Sequence, residues 1–364
     1  MTSHNGRAPG PAFADLTTLY GDLADVRPGF GRTRITFLTY SLNYGGAERW
    51  LVDLATRLDR DRYAVTVAML QPPTKPTALQ LKASASVRIV TNAGGTPDIA
   101  VTWIVRPFPN AKHKVFCLHG ADPESAALAA GVSGDAAVQY AAVSNRVGEL
   151  LTPYGRPRII YNGCDTARLT PATSREAVRE QLKVDKTDIL VGFLGRLADV
   201  KCPHAVAHAV TALRQRGFGS HGLFVGDYKG CHTERTQSIR LLLPDAIFLG
   251  PTEAIGDPLA AMDVLLLPSY SEGFSLAKIE AWLTRTPVVA TPVGAIPELE
   301  QVHGQLVVRV PVGAGSDMLA DAILQAVSPA NDSVVTRAHA LAWRDFTVEA
   351  MVARWDAYFQ ELLQ

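Results

Sequence analysis

The sequence contains few cysteines and no long apolar run. Its four cysteines in 364 residues, Cys117, Cys164, Cys202 and Cys231, are widely spaced and form no CxxC pair. This spacing argues against a disulfide framework and a cysteine zinc site. No window approaches the roughly 18 apolar residues that a membrane span needs, and the first 30 residues lack the apolar core of a signal peptide. These absences predict a cytoplasmic protein, and peripheral contact with a membrane is compatible with them.

Net charge is also absent, because 35 basic residues balance 35 acidic residues. The halves differ, however. Residues 33–163 carry 14 Lys and Arg against 9 Asp and Glu, and residues 164–364 carry 18 against 23. A basic first half is consistent with an anionic partner, and chance explains so small a difference about equally well.

Signals for a metal or a catalytic nucleophile are missing. The nine histidines show no metal-ligand spacing, and no G-x-S-x-G elbow occurs. Asp59-Arg-Asp61 formally matches a DxD metal motif, but it lies in a polar turn among arginines, so we interpret it as a solvated turn. The sequence therefore predicts neither a metal ion nor a cofactor.

The chain does contain two successive series of short apolar strands that alternate with helices. The first series opens with a strand at Arg34–Tyr40, a helix at Ala47–Leu58 and a strand at Ala64–Leu70; further runs lie at 100–105, 115–118, 140–143 and 159–161. The second opens with a strand at Ile189–Leu194 and a helix at His204–Gln215; further strands lie at 223–225, 246–249, 264–267 and 288–290. This alternation predicts an α/β fold of two doubly wound, Rossmann-like domains that face each other across a ligand cleft.

The predicted domains are an N-terminal extension at 1–32, a first domain at 33–163, a second domain at 164–347 and an amphipathic helix at 348–364. The extension includes a candidate helix at 13–26. One link is unusual, because only Thr91 to Thr96 separate a strand that ends at Val90 from one that opens at Asp98. A parallel crossover usually takes a dozen residues or more. Either the strand near Ile89 is misplaced, or this domain lacks a helix there.

The most informative segment follows the strand at 264–267. Pro268-Ser-Tyr-Ser-Glu272-Gly-Phe-Ser leads into a helix that begins near Ser275 and contains Glu280. Free N–H groups at a helix start suit a phosphate, and Gly273 allows close approach of the backbone. The carboxylates of Glu272 and Glu280 can accept hydrogen bonds from hydroxyls on two sugar rings. The alternative is that Glu272 is a solvated acid in a loop and that Glu280 is a helix cap or a surface residue.

Two cations form a second signal. In Gly195-Arg196-Leu-Ala-Asp-Val-Lys201 a strand ends at Gly-Arg and a lysine follows five residues later. Arg196 and Lys201 at a strand's carboxyl end can clamp a pyrophosphate and stabilise a leaving nucleotide. The alternative is a pair of surface cations.

Two weaker signals lie in the first domain. Gly45-Gly46-Ala-Glu-Arg49 places glycines before a helix, which suits an anion or a closely approaching ligand, although it has neither dinucleotide-fold nor P-loop spacing. His119-Gly120 ends a strand, where a histidine can exchange a hydrogen bond with a sugar hydroxyl. The alternative for His119 is a packed core histidine.

Taken in order, these segments resemble glycosyltransferase family 4, the retaining GT-B enzymes. Further matching pieces are Ala142-Val-Ser-Asn145, Ile160-Tyr-Asn-Gly163 with Asp165, Val225-Gly226-Asp227, Ala261-Met-Asp263 and the run from Glu272 to Thr291. They extend from about Thr33 to the terminal helix and are most specific in the second half.

The resemblance implies a role for each matching residue. Arg196 and Lys201 would bind the donor diphosphate, and Glu280 would bind the ribose. Glu272, with the backbone of Gly273, Phe274 and Ser275, would hold the transferred sugar, which His119 would contact from the other domain. Gly45 and Gly46 would line the junction of donor and acceptor, and the terminal helix would cross back onto the first domain. The implied reaction retains the anomeric configuration, needs no metal ion and uses a UDP- or GDP-sugar.

The chain also departs from the family's pattern. Lys201-Cys202 replaces the usual Lys-Gly, and Lys278 replaces an aliphatic residue and is a further candidate for contact with the donor. The short link after Val90 would shorten the acceptor wall. The acceptor therefore stays open between a phosphorylated lipid, a nucleic acid, a glycan and a natural product. A nucleotide-sugar epimerase and a non-catalytic nucleotide-sugar-binding protein are the alternative functions, because fold alone does not separate them.

Overall fold

A computed structural model describes residues 31–42, 45–71, 82–83, 87–90, 96–104, 110–132, 137–226 and 232–364. The predicted helix at 13–26, the turn residues 43–44, Asp227 and most of the short link, at 91–95, lie outside the described residues. Within the described part, the backbone forms one parallel sheet of seven strands and a second of six.

The first sheet has the strand order β3-β2-β1-β4-β5-β6-β7, and its described pairs are all parallel. Its strands are β1 Thr33–Thr39, β2 Tyr63–Met69, β3 Arg88–Val90, β4 Ile99–Thr102, β5 His113–Leu118, β6 Val138–Ala142 and β7 Arg158–Ile159. Three helices accompany them among the described residues: α1 Gly46–Arg57, α2 Pro123–Gly131 and α3 Asn145–Gly148. The central strands are buried along most of their length, as expected for a sheet with helices on both faces.

The second sheet has the order β10-β9-β8-β11-β12-β13 and is also parallel. Its strands are β8 Ile189–Leu194, β9 Ser220–Val225, β10 Ile247–Leu249, β11 Val264–Leu267, β12 Val288–Ala290 and β13 Val308–Arg309. The helices are α4 Arg175–Gln181, α5 His204–Gln215, α6 His232–Leu242, α7 Gly256–Ala261, α8 Leu276–Leu283, α9 Ile296–His303, α10 Ser316–Ala326, α11 Asp332–Asp345 and α12 Val348–Leu363. The predicted α/β fold with two doubly wound sheets is confirmed.

Two expectations about the first sheet need correction. The run predicted as a strand at 100–105 ends at Thr102, because the Thr102 hydroxyl accepts a hydrogen bond from the Ile104 N–H at 3.1 Å and turns the chain. The proposal that the strand near Ile89 is misplaced is wrong, since β3 pairs with β2 at that position. Residues 96–98 carry no helix.

The chain crosses between the sheets twice, and the two crossings lie side by side. Cys164 N–H donates to the Phe346 carbonyl at 2.9 Å, and Val348 N–H donates to the Cys164 carbonyl at 2.8 Å. A Cβ on Gly163 would lie 2.2 Å from the Thr347 carbonyl oxygen, so only glycine fits this contact. The two crossings therefore form one paired connection between the sheets.

Helix α12 packs against the first sheet's layer. The rings of Trp355 and Trp50 have centroids 5.3 Å apart, and the Tyr63 hydroxyl donates to Asp356 Oδ1 at 2.6 Å. The described part of the chain contains no helix with the length and apolar character that a bilayer span requires.

Candidate functional site

A cavity of about 500 Å³ lies between the two sheets, at the carboxyl ends of their strands. The turn before α1, the end of β5, the loop after β8 and the β11–α8 loop all contribute to its lining. Ten residues that the sequence singled out for the site line it: Gly45, Gly46, His119, Arg196, Lys201, Glu272, Gly273, Phe274, Ser275 and Glu280. Because parallel strands end at a common edge, segments far apart in sequence converge on one cleft.

Glu272 and Lys201, predicted to contact neighbouring parts of one ligand, contact each other. Lys201 Nζ donates to Glu272 Oε2 at 2.5 Å, and the Ser269 hydroxyl donates to Oε1 at 2.8 Å. Each carboxylate oxygen keeps a second lone-pair site, so the paired Glu272 can still accept a hydrogen bond from a hydroxyl. The ion pair fixes the orientation of both side chains.

The loop from Glu272 to Ser275 packs tightly against the first sheet's side of the cleft. A Cβ on Gly273 would lie 1.9 Å from the His119 carbonyl oxygen, and the Ser144 hydroxyl donates to the Gly273 carbonyl at 3.0 Å. Ser275 has φ +66° and ψ 93°, a backbone conformation that non-glycine residues rarely adopt. Among the described residues no side chain caps α8. Its first N–H groups are thus available to an anion.

Arg196 is exposed at the end of β8, and no described residue forms an ion pair or hydrogen bond with its guanidinium. The carboxyl of Glu48 faces it across the cleft, where burial raises the pKa of Glu48 and the charge of Arg196 opposes that rise. The Arg196 charge is therefore free for an anionic ligand.

His119 lies against two tryptophans, with its ring centroid 4.5 Å from that of Trp50 and 5.9 Å from that of Trp103. Burial lowers the pKa of His119 to about 3, so the imidazole is neutral at physiological pH. Its Nε2 atom is buried and has no hydrogen-bond partner in the described part of the chain. His119 borders the cavity as a neutral hydrogen-bonding group and not as a general acid.

The expectation that Lys278 contacts a donor in the cavity is wrong. Lys278 is fully buried and does not line the cavity, whereas Glu280 does. Two residues along a helix correspond to a rotation of about 200°. The helix that turns Glu280 toward the cleft therefore turns Lys278 into the interior.

Sequence reasoning missed a chain of charged residues that connects the two sides of the cleft. Arg168 donates to Glu280 Oε1 at 2.9 Å and, through Nε, to the Glu253 carbonyl oxygen at 3.1 Å. Arg49, from the other side of the cleft, donates to both carboxylate oxygens of Glu253 at 2.7 and 2.8 Å. Burial raises the pKa of Glu253, but the hydrogen bonds and charge of Arg49, together with the charges of Arg168 and Lys82, outweigh it and hold that pKa below its ordinary value. No local pattern relates residues so far apart, so the sequence carried no signal for this chain.

The Arg49–Glu253 pair joins the two sides of the cleft, and removing it is expected to favour an open cleft. Bidentate pairs of this kind are among the stronger polar contacts, and hydrogen bonds to charged groups contribute about 1.5–3 kcal/mol each. We expect Arg49→Met to increase the radius of gyration measured by small-angle X-ray scattering. The control is Arg62→Met, which removes an exposed pair with Asp356 away from the cavity and should leave scattering unchanged. Identical scattering from both variants would contradict a closing role.

Comparison with known proteins agrees with the fold and matches the second sheet's part of the chain to a known family. Residues 188–328 match the family described as Glycosyl transferases group 1. The D-inositol 3-phosphate glycosyltransferase of Gordonia bronchialis is 30% identical over 232 residues, which cover 58% of this chain and 50% of that protein. The same enzyme of Salinispora arenicola is 33% identical over 187 residues, covering 44% and 41%. The chain thus spans about half the length of the curated relatives it matches.

Solved structures share the whole architecture. Anabaena Alr3699/HepE in complex with UDP-glucose has a TM-score of 0.74 at 22% identity, covering 91% of this chain and all of that one. Sucrose-phosphate synthase from Thermosynechococcus elongatus has a TM-score of 0.72 at 17% identity, covering 91% and 99%. These likenesses establish the GT-B fold.

Proposed function

We propose that the protein transfers a sugar from a nucleoside-diphosphate donor to an acceptor, since residues 188–328 match the family described as Glycosyl transferases group 1. The observation that carries the proposal is the composition of one cavity. The same space is faced by Arg196, which pairs with no described residue, by Lys201, by the carboxylates of Glu272 and Glu280, and by the start of α8, which no described side chain caps. This combination matches a diphosphate placed between two sugar rings.

The proposed mechanism is electrostatic. When the bond between sugar and diphosphate breaks, negative charge develops on the leaving diphosphate. Arg196, Lys201 and the N–H groups at the start of α8 stabilise that charge in a partly closed cleft. Glu272 accepts a hydrogen bond from the transferred sugar, and Glu280 accepts one from the ribose. Attack of the acceptor on the face that the diphosphate leaves would retain the anomeric configuration.

Similar proteins suggest which substrates to try first. UDP-glucose and UDP are the molecules named in complexes of the Anabaena protein. UDP-sugars are therefore the donors to test first, and GDP-sugars the donors to test next. The curated relatives are named for D-inositol 3-phosphate, so a phosphorylated polyol is the first acceptor. It is a small anionic acceptor, consistent with the basic residues of the first half.

A ligand screen tests the donor half of the proposal. The purified protein is heated with UDP, GDP, ADP and TDP and with the corresponding sugar nucleotides, and the unfolding temperature and nucleotide release are recorded. Stabilisation by one nucleoside diphosphate, followed by release of that nucleotide only when an acceptor is added, is expected for a transferase. Conversion of the donor without an acceptor would identify an epimerase instead. Absence of stabilisation by all of them would contradict the donor site.

Activity is expected to survive removal of divalent metal ions. The side chains proposed to neutralise the diphosphate are cationic. Asp59 and Asp61 are exposed in a turn at the amino ends of the strands. In that turn the Asp61 N–H donates to Asp59 Oδ1 at 2.9 Å. We therefore expect EDTA and Asp59→Ala each to leave the transfer rate within about twofold of the untreated enzyme, since surface substitutions usually have small effects. Loss of activity in EDTA with recovery on adding Mg²⁺ or Mn²⁺ would restore the DxD interpretation.

A further inference from the structure

Lys278 is a fully buried cation in the first turn of α8. Its Nζ atom lies 4.9 Å from the ring centroids of both Phe274 and Trp282. Within the described part of the chain this amine has no hydrogen-bond partner. A buried charge usually requires a partner that offsets its lost hydration.

The carboxylates that face Lys278 are occupied by other groups. Glu272 accepts hydrogen bonds from Lys201 and Ser269, and Glu298 accepts from the backbone N–H groups of Asn145 and Arg146. The third is Glu300, which accepts from the N–H groups of Leu306 and Val307 and from the Arg309 side chain. In the described part of the chain, none of these three carboxylates accepts a hydrogen bond from the Lys278 amine.

Two further titratable groups contact other parts of α8. His339 on α11 approaches the far end of α8, with Nδ1 3.0 Å from the Trp282 carbonyl oxygen. Arg168 pairs with Glu280 on the face of α8 that borders the cavity. Both groups are neutral or cationic. Among the described residues, Lys278 therefore has the longer-range attraction of carboxylates but no hydrogen-bonded counter-ion.

The position of Lys278 in its helix is also unfavourable for a cation. The start of a helix carries a partial positive charge, which favours anions and disfavours cations in the first turn. Burial lowers the pKa of Lys278 to about 8, although Glu272, Glu298 and Glu300 oppose the shift. A diphosphate at this helix start would offset both the positive charge of the helix start and the cost of burying the Lys278 charge. It would do so because it would bring negative charge to the N-terminus of α8.

We propose that Lys278 is an inner counter-charge for the diphosphate of the donor, and that diphosphate binding drives protonation of its amine. The proposal rests on the proposed function, since it uses the same donor site. Phe274 and the other residues just before α8 line the cavity, and the amine lies 4.9 Å from the centroid of the Phe274 ring. In so apolar a surrounding a charge acts over a longer distance than in water. The proton comes from the solvent and is released when the nucleotide leaves.

Isothermal titration calorimetry with UDP and with GDP tests this coupling. Titrations at pH 7, 8 and 9 in two buffers of different ionisation enthalpy give the number of protons taken up on binding. At pH 8 we expect the wild-type protein to take up about half a proton, because roughly half of the amines are then neutral before binding. The nucleotide phosphates, whose last pKa lies near 6, are already ionised at that pH.

Three variants make the result specific. Lys278→Met should abolish proton uptake at pH 8 and weaken binding at pH 7 by about tenfold, that is about 1.4 kcal/mol. Lys278→Arg, which stays protonated, should bind without proton uptake. Lys186→Met, which removes an exposed lysine, should behave as wild type.

Equal proton uptake by wild type and Lys278→Met would overturn the role of Lys278, as would wild-type binding with no proton uptake at any of the three pH values. Binding of neither nucleotide would instead contradict the donor site and the proposed function with it. The two failures are therefore distinguishable.

Discussion

The Arg196→Ala variant is expected to lose transfer activity by about 10²–10³-fold in kcat while keeping its fold. Removing one preorganised donor to a developing anion has an effect of this size. The fold should survive because Arg196 is exposed and forms no ion pair with the described residues. Its loss therefore leaves no carboxylate unpaired. Most of the effect should fall on kcat, since the charge on the leaving diphosphate grows toward the transition state.

Initial rates with saturating donor and acceptor measure this effect, and circular dichroism with thermal unfolding checks the fold. Arg344→Ala is the matched control, because it removes an exposed arginine that pairs with its neighbour Asp345 and does not line the cavity. An Arg196→Ala enzyme with near-wild-type kcat would disprove the diphosphate clamp.

Glu280→Ala is expected to raise the donor KM by about 10- to 100-fold, with a smaller change in kcat. A hydrogen bond to a charged group contributes about 1.5–3 kcal/mol, and the ribose does not change during the reaction, so its contact acts about equally in ground and transition states. The substitution also removes the carboxylate from Arg168, although that arginine keeps its hydrogen bond to the Glu253 carbonyl. A small loss of stability should accompany the rise in KM.

Steady-state kinetics with varied donor separates KM from kcat for this variant. Glu280→Gln, which keeps one acceptor oxygen, should lie between wild type and Glu280→Ala. Glu176→Ala removes an exposed glutamate of α4 and should leave the donor KM unchanged. An unaltered KM in Glu280→Ala would remove this residue from the donor site.

Much of the site was readable from the sequence because its residues occur in short, ordered segments. The run from Pro268 to Glu280 predicts a strand end, a loop and a helix start, and the structure places β11, the loop and α8 there. Periodicity also gave β8, β12 and α5 with their observed bounds, and α12 to within one residue. These elements were predictable because the spacing of apolar residues, and the residues that begin and end an element, are properties of a short stretch of sequence.

The structure gives a physical reason for the glycine that the family usually has where this chain has Cys202. Cys202 adopts φ 50° and ψ 52°, the left-handed conformation. Glycine adopts this conformation without the strain that a side chain adds. Glycine therefore adopts the backbone conformation after Lys201 with less strain than any other residue, and this chain tolerates a cysteine there.

The sequence by itself determined the two doubly wound domains and the segments that meet at the cleft, because strand and helix periodicity and the placement of glycines are local properties. Only the tertiary structure decided which charges are paired and which are free. Glu253 reaches Arg49 across the cleft, Glu272 pairs with Lys201, and Lys278 points away from the cavity that Glu280 faces. Those outcomes depend on the packing of residues distant in sequence and on burial, which no local pattern encodes.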